Sequence, residues 1–333
     1  MNDILSKSIS YQKMDTIQFA LIGHVDSGKS TLAGQILNHA KYISSRELEV
    51  IFKKSEEDGM ERWKWARILD IFEEELSRGK THEFAKIDFE IDNQKYRLID
   101  TPGHSIFIRS MIEGIYGINI AVVIIPMINT EFESVFKGSL KEHLIISRVS
   151  GVKKIVLIAN KMDAIDWNQD VYIEKTTIVK EFLHKVGYTS SDIISVPISA
   201  YQGICLFNLD NMPSWYIGPT FIEALDIISK GNIDSSVSVN FTGNNFVIDT
   251  RIINYDQIIT LGFTAIIHNS GIEYTTELIG IKNETGCKFI KNGDKCYTIW
   301  KFSQEITITD DKVLIRKGES TIGLGKIVKS IKI

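Results

Sequence analysis

The chain holds 333 residues, 44% hydrophobic and 24% charged, with three cysteines and a formal net charge of −4. That composition belongs to a folded soluble protein and excludes a disordered, fibrous or disulfide-stapled one, while a charge so near neutral speaks against DNA or other nucleic-acid binding by bulk electrostatics. Single hydrophobic cores stop growing at about 250–300 residues, so two domains are expected.

Residues 1–16 are polar and lack an apolar run before a small-residue cleavage site. Apolar runs such as 120–125 are far too short to cross a bilayer, so no membrane segment is expected. Cys205, Cys287 and Cys296 show no C-x-x-C pairing, which fits a reducing, cytoplasmic setting. Up to residue 230, short β-branched runs at 17–22, 96–99, 120–125 and 155–159 alternate with amphipathic stretches at 31–37, 46–54, 172–186 and 221–228. That alternation predicts an α/β domain built on a mostly parallel sheet with helices on both faces. One hairpin is expected, with strands 86–91 and 95–99 reversing at Asp92-Asn93-Gln94. Residues 231–237 read as a polar linker. Beyond it, candidate strands at 245–253, 262–268, 274–281, 296–302, 306–309 and 320–329 are separated by Asn, Gly and Asp turns. An all-β barrel spanning 238–333 would hide their edges.

Between the first strand and the first helix stands Gly23-His24-Val25-Asp26-Ser27-Gly28-Lys29-Ser30, followed by Thr31. It matches G-x-x-x-x-G-K-[ST], in which glycines let backbone N–H groups curl around phosphate oxygens at a helix N-terminus. Lys29 would neutralise the β and γ phosphates, and the Ser30 hydroxyl would ligate Mg2+. Asp100-Thr101-Pro102-Gly103-His104 follows the second hairpin strand. There Asp100 can hold magnesium through water, the Gly103 N–H can meet the γ-phosphate, and His104 can orient an attacking water. Thr81, just before the hairpin, is the candidate switch residue whose hydroxyl and carbonyl reach magnesium and the γ-phosphate. Asn160-Lys161-Met162-Asp163 closes the strand at 155–159. The Asp163 carboxylate accepts from N1–H and the 2-amino group of guanine, whereas adenine carries no proton at N1, so GTP and GDP are expected over adenine nucleotides. Ser199-Ala200 would supply a backbone contact to the guanine carbonyl.

The boxes G-H-V-D-S-G-K-S, D-T-P-G-H and N-K-M-D resemble those of translational GTPases of the elongation factor Tu and elongation factor 1-alpha type. Residues 63–70, Glu73-Glu74-Glu75, Arg78-Gly79, 138–143 and 214–225 resemble the eukaryotic elongation and release-factor branch. Lys80 before Thr81 is similar to the GTPase release factor within it. The resemblance implies a slow GTPase acting as a nucleotide switch in translation, with His104 as the water-orienting histidine. It also implies that Val25 is one wing of an apolar gate, whose other wing is replaced here by Lys80. Family members carry two barrels after the GTPase domain. Residues 289–294 and 316–328 resemble the third domain, so the middle barrel is expected to be absent, with domains at 1–230 and 238–333. The third domain implies a tRNA-shaped protein or tRNA as partner and the ribosome as candidate activator. The alternative is a GTP- or GDP-dependent adaptor that has left the ribosome.

Overall fold

The computed structural model describes residues 16–77, 86–100, 108–138, 140–231, 240–253, 255–282, 286, 288–318 and 320–331. Strand β1 (Ile17–Ile22) runs into a loop and then helix α1 (Lys29–His39); α2 (Ser45–Glu57) and α3 (Lys64–Ser77) follow. The hairpin β2 (Lys86–Ile91) and β3 (Gln94–Asp100) leads to α4 (Ile108–Ile115), β4 (Ile120–Pro126), α5 (Asn129–Lys137) and α6 (Leu140–Val149). Then come β5 (Lys154–Asn160), α7 (Gln169–Val186), β6 (Ile193–Pro197) and α8 (Phe221–Ser229).

These strands form one sheet in the order β2-β3-β1-β4-β5-β6, parallel except for β2. β4 and β5 are buried along their whole length, as strands covered by helices on both faces must be. One core lies between the sheet and α1, α3 and α8; the other, on the opposite face, takes α4, α6 and α7. Helix α1 approaches α3 so closely that a Cβ at Gly34 would fall on the Trp65 carbonyl oxygen. The hairpin turns on two residues, Asp92 and Asn93, both at positive φ (49° and 66°), so that Gln94 already pairs with Ile91. Two consecutive left-handed residues match the strand twist, which makes the turn one residue shorter than its composition suggests.

The second unit comprises β7 (Phe241–Ile252), β8 (Ile259–Thr260), β9 (Thr264–Asn269), β10 (Ile272–Lys282), β11 (Phe289–Ile290), β12 (Lys295–Ile308), β13 (Lys312–Lys317) and β14 (Ser320–Ile331). Six of them close a barrel in the order β10-β12-β7-β14-β13-β9, while β8 pairs with β11. Alternate residues Phe246, Ile248, Trp300, Phe302 and Ile327 fill its interior. The buried Trp300 indole donates to Thr298 Oγ1 at 2.8 Å, which satisfies its one polar atom. The stretches expected as separate strands at 296–302 and 306–309 are a single strand, β12, interrupted by a register shift against β7 between Lys301 and Ile306. The exposed Ser303, Gln304 and Glu305 break the alternation there, and that break reads as a gap in sequence.

The barrel rests on the sheet domain. Leu314 is buried in the α4–α6–α7 core with Leu324 packed beside it, and the Thr321 N–H donates to Glu142 Oε1 on α6 at 3.0 Å. The connection between α8 and β7 runs from residue 230 to 240; its residues 232–239, most of the expected linker, lie outside the described residues. No helix among the described residues is long and apolar enough to cross a membrane.

Candidate functional site

The loop Gly23–Gly28 lies at the C-terminal end of β1, where the ligand crevice of an open α/β sheet forms. Glycine is required at both ends. A Cβ at Gly23 would lie 2.6 Å from Ser27 Oγ and 2.9 Å from the Ile124 carbonyl. Gly28 sits at φ 100°, and a Cβ there would collide with the Asn160 amide. Asp26, at φ 62°, completes the curl, and the Ser27 N–H donates to the His24 carbonyl at 3.3 Å. Val25 is exposed (42%) at the crest of the loop, and the neighbouring His24 approaches the Val25 carbonyl through Nδ1 at 2.9 Å.

Lys29 opens α1 and is 8% exposed. Its ammonium donates to the Gly23 and His24 carbonyls at 2.7 and 2.9 Å, bracing the loop from inside. Burial lowers its pKa, while Asp100 and Asp26 pull the other way. A cation so poorly hydrated gains more from an incoming phosphate than a solvated one does. Ser30 and Thr31 lie half-buried in the first turn of α1. Asp100 ends β3 opposite Leu21 of β1, on the Lys29 side of the crevice. Ser27 Oγ is buried and has no hydrogen-bond partner among the described residues.

The base-side motifs converge on the same end of the sheet. Asn160, 3% exposed at the end of β5, donates through Nδ2 to the Ser27 carbonyl at 2.8 Å. Its Oδ1 accepts from the Ala200 N–H at 3.0 Å. One side chain thus joins the phosphate loop, the end of β5 and the buried Ser199-Ala200 turn after β6. Of the Ser199-Ala200 pair, expected to supply a backbone contact to a guanine carbonyl, the Ala200 N–H is donated here to Asn160. Lys161 takes a left-handed conformation (φ 63°) and donates to Glu131 Oε2 at 2.6 Å. Asp163 lies half-buried in the short 3-10 turn Met162–Ile165, held by the Met162 N–H donating to the Ile198 carbonyl at 3.2 Å.

The expected roles of Thr81, Gly103 and His104, and of Lys80 in the gate, fall on residues outside those described. Four further side chains stand at the site: Gln35 and Glu131, which no motif held, and Trp65 and His143, which the sequence placed only within stretches resembling the family, with no role assigned. Glu131 could be found only as an acid in the first turn of α5, a pattern shared by many helices. His143 on α6 is 1% exposed, and its pKa is pushed down to about 4, first by burial and then by Lys29 and His24.

A glycine-bounded loop between a central parallel strand and a helix, with an invading lysine and a second motif at a neighbouring strand end, defines a P-loop nucleotide-binding domain. Residues 14–230 match the model of the elongation factor Tu GTP binding domain, and the chain belongs to that family. The GTP-binding subunit of the eukaryotic peptide chain release factor of Candida maltosa is 34% identical over 224 residues, covering 66% of this chain and 32% of that protein. Elongation factor 1-alpha of Plasmodium falciparum is 39% identical over 212 residues, covering 63% of this chain and 48% of that protein. The chain thus matches about a third to a half of the length of these curated relatives. The crystal structure of the S. cerevisiae Ski7 GTPase-like domain, bound to GDP and inorganic phosphate, superposes with a TM-score of 0.72 at 14% identity. That match covers 94% of this chain and 97% of the Ski7 chain, so both share the arrangement of a sheet domain followed by a barrel.

Proposed function

We propose that this protein is a guanine-nucleotide switch and slow GTPase of a translation-related process, closest in kind to the release-factor branch of its family. The observation that carries the proposal is the Asn160 bridge, which ties a phosphate-binding loop to the base-side turn through bonds of 2.8 and 3.0 Å. Phosphate and base are thereby read by one connected frame. The GDP-bound and GTP-bound forms of the similar Ski7 domain support the same ligand class.

In this proposal the backbone N–H groups of Gly23–Gly28 and the N-terminus of α1 hold the phosphates, Lys29 turns its ammonium from loop carbonyls to phosphate oxygens, and Asp163 accepts from the guanine edge. The donor set suits Mg2+, which keeps waters and phosphate ligands and needs only one or two protein carboxylates. Ser30 and Asp100 would hold it, with Thr81 as the switch ligand; when bound it would neutralise charge on the β and γ phosphates. His104 would orient the attacking water. The barrel, in the place of the family's third domain, would grip a tRNA-shaped protein or tRNA. His104→Ala should hold GDP with affinity within about twofold of the parent and release phosphate at least about a hundredfold more slowly, the usual range for a positioned acid–base group. Equal single-turnover rates would remove His104 from the chemistry.

The direct connection of the sheet domain to one barrel favours a second possibility, a nucleotide-dependent adaptor that works away from the ribosome. Co-sedimentation with ribosomes in the presence of a non-hydrolysable GTP analogue supports the first proposal; protein left in the supernatant supports the second.

A further inference from the structure

The turn after β6 is short and self-closed. The Gly203 and Ile204 N–H groups donate to the Ser199 carbonyl at 2.8 and 3.1 Å, and the Gln202 N–H donates to Ser199 Oγ at 3.2 Å. The turn leaves the Ala200 carbonyl, a buried acceptor, and the Tyr201 carbonyl to be met by donors from other elements. The donors come from helices of the phosphate side. Gln35, on α1 and 7% exposed, donates through Nε2 to the Ala200 carbonyl at 3.0 Å and the Tyr201 carbonyl at 3.3 Å. Gly203 is at φ 76°, and a Cβ there would meet the Gln35 amide at 3.3 Å, so the turn is wrapped around that amide. The Trp65 indole on α3 donates to the Tyr201 carbonyl at 3.0 Å. The surrounding rings hold it: Phe52 meets Trp65 edge-to-face at 4.9 Å, and the Lys64 ammonium lies 4.8 Å from the Phe52 ring and 5.3 Å from the Tyr201 ring.

We propose that Gln35, seconded by Trp65, is a positioning latch that holds the base-side turn Ser199-Ala200-Tyr201 against the phosphate helix and so sets how long a guanine nucleotide is retained. The inference rests on the guanine-nucleotide function proposed above. Gln35 lies six residues beyond Lys29 on α1, roughly 9 Å along the axis, so one rigid helix carries both the phosphate contact and the latch. Gln35 touches no nucleotide itself; it acts through the turn, whose Ala200 N–H in turn fixes Asn160.

Gln35→Met keeps the side chain's length and volume and removes its donors, taking the side-chain donor from the buried Ala200 carbonyl and leaving the Tyr201 carbonyl with Trp65 alone. Trp65→Phe keeps the ring contact with Phe52 and removes one donor. In the nucleotide-free chain, the amides of residues 202–204 should exchange about tenfold faster in Gln35→Met and about threefold faster in Trp65→Phe, while β4 is unchanged. A fluorescent GDP analogue should leave Gln35→Met about tenfold faster than the parent. Val179→Ala loosens the core beneath α7 without touching the turn and serves as the control for simple destabilisation. Unchanged exchange at 202–204 in Gln35→Met overturns the latch, as does nucleotide loss no faster than in Val179→Ala. A parent protein that holds no GDP would refute the guanine-nucleotide function instead, and the exchange of the turn would still decide the latch.

Discussion

Two buried groups at the site carry opposite obligations. Burial lowers the pKa of Lys29 while Asp100 and Asp26 pull it back up, whereas His143 is pushed down to about 4, first by burial and then by the nearby charges of Lys29 and His24. Both ring nitrogens of His143 lack a partner among the described residues. With a folded pKa of about 4 against an ordinary 6.5, the unfolded chain takes up the proton first as pH falls. His143 therefore adds no pH-linked cost above pH 6.5 and removes stability progressively down to pH 4, on the order of 3 kcal/mol in all. Urea unfolding of His143→Leu at pH 7.5 and 4.5 should show a smaller acid loss than the parent by about 2 kcal/mol, and parallel losses would contradict that assignment. Residue types alone identified the phosphate loop, because a strand, a glycine pair, a lysine and a hydroxyl must follow one another in fixed order. Asn160 was legible as a motif member, but its bridging geometry was not, since both partners, Ser27 and Ala200, are distant in sequence. Gln35 and Trp65 were illegible for the same reason: their acceptors are main-chain carbonyls, which every residue has.

Among elements, the pairing of α1 with α3 sets the geometry of the phosphate side. Gly34→Ala gains helix propensity of about 1 kcal/mol but drives a methyl into the Trp65 carbonyl oxygen. Overpacking of that kind should win, with a net loss of about 1–3 kcal/mol in chemical denaturation; a stabilised variant would show that the helices can part without cost. The interior strands β1, β4 and β5 were readable to within a residue or two, because burial on both faces demands uninterrupted apolar runs. Helix α5 was not, because only Phe132 and Val135 of its nine residues are fully buried, with Phe136 partly buried beside them. β13 was also missed. Its run Val313-Leu314-Ile315 is followed by a buried arginine, Arg316, which hides the alternation.

At the scale of the whole molecule, the barrel is fastened to the face of the sheet that carries α4 and α6, through Leu314, Leu324 and the bond from Thr321 to Glu142. Glu142 adjoins His143, so the attachment of the barrel and the surroundings of the phosphate loop share one turn of α6. Removing the acceptor in Glu142→Ala should cost about 1–2 kcal/mol and speed amide exchange at Thr321, while Glu142→Gln, which keeps the oxygen, should be nearly silent. Equal effects of the two changes would mean that the charge, not the hydrogen bond, holds the barrel. The order of a sheet domain followed by a barrel was foreseeable from the change of residue texture after Ser229. The docking face was not, because the outward Leu314 and Leu324 look like ordinary strand residues until the partner surface is known.

If one connected frame reads both phosphate and guanine, calorimetric titration of the chain in magnesium will show it as base selectivity. GDP should bind at least about a hundredfold more tightly than ADP, and Asp163→Asn should transfer that preference towards xanthosine diphosphate by replacing an acceptor with a donor. ADP bound as tightly as GDP, or an unaltered preference in Asp163→Asn, would contradict it.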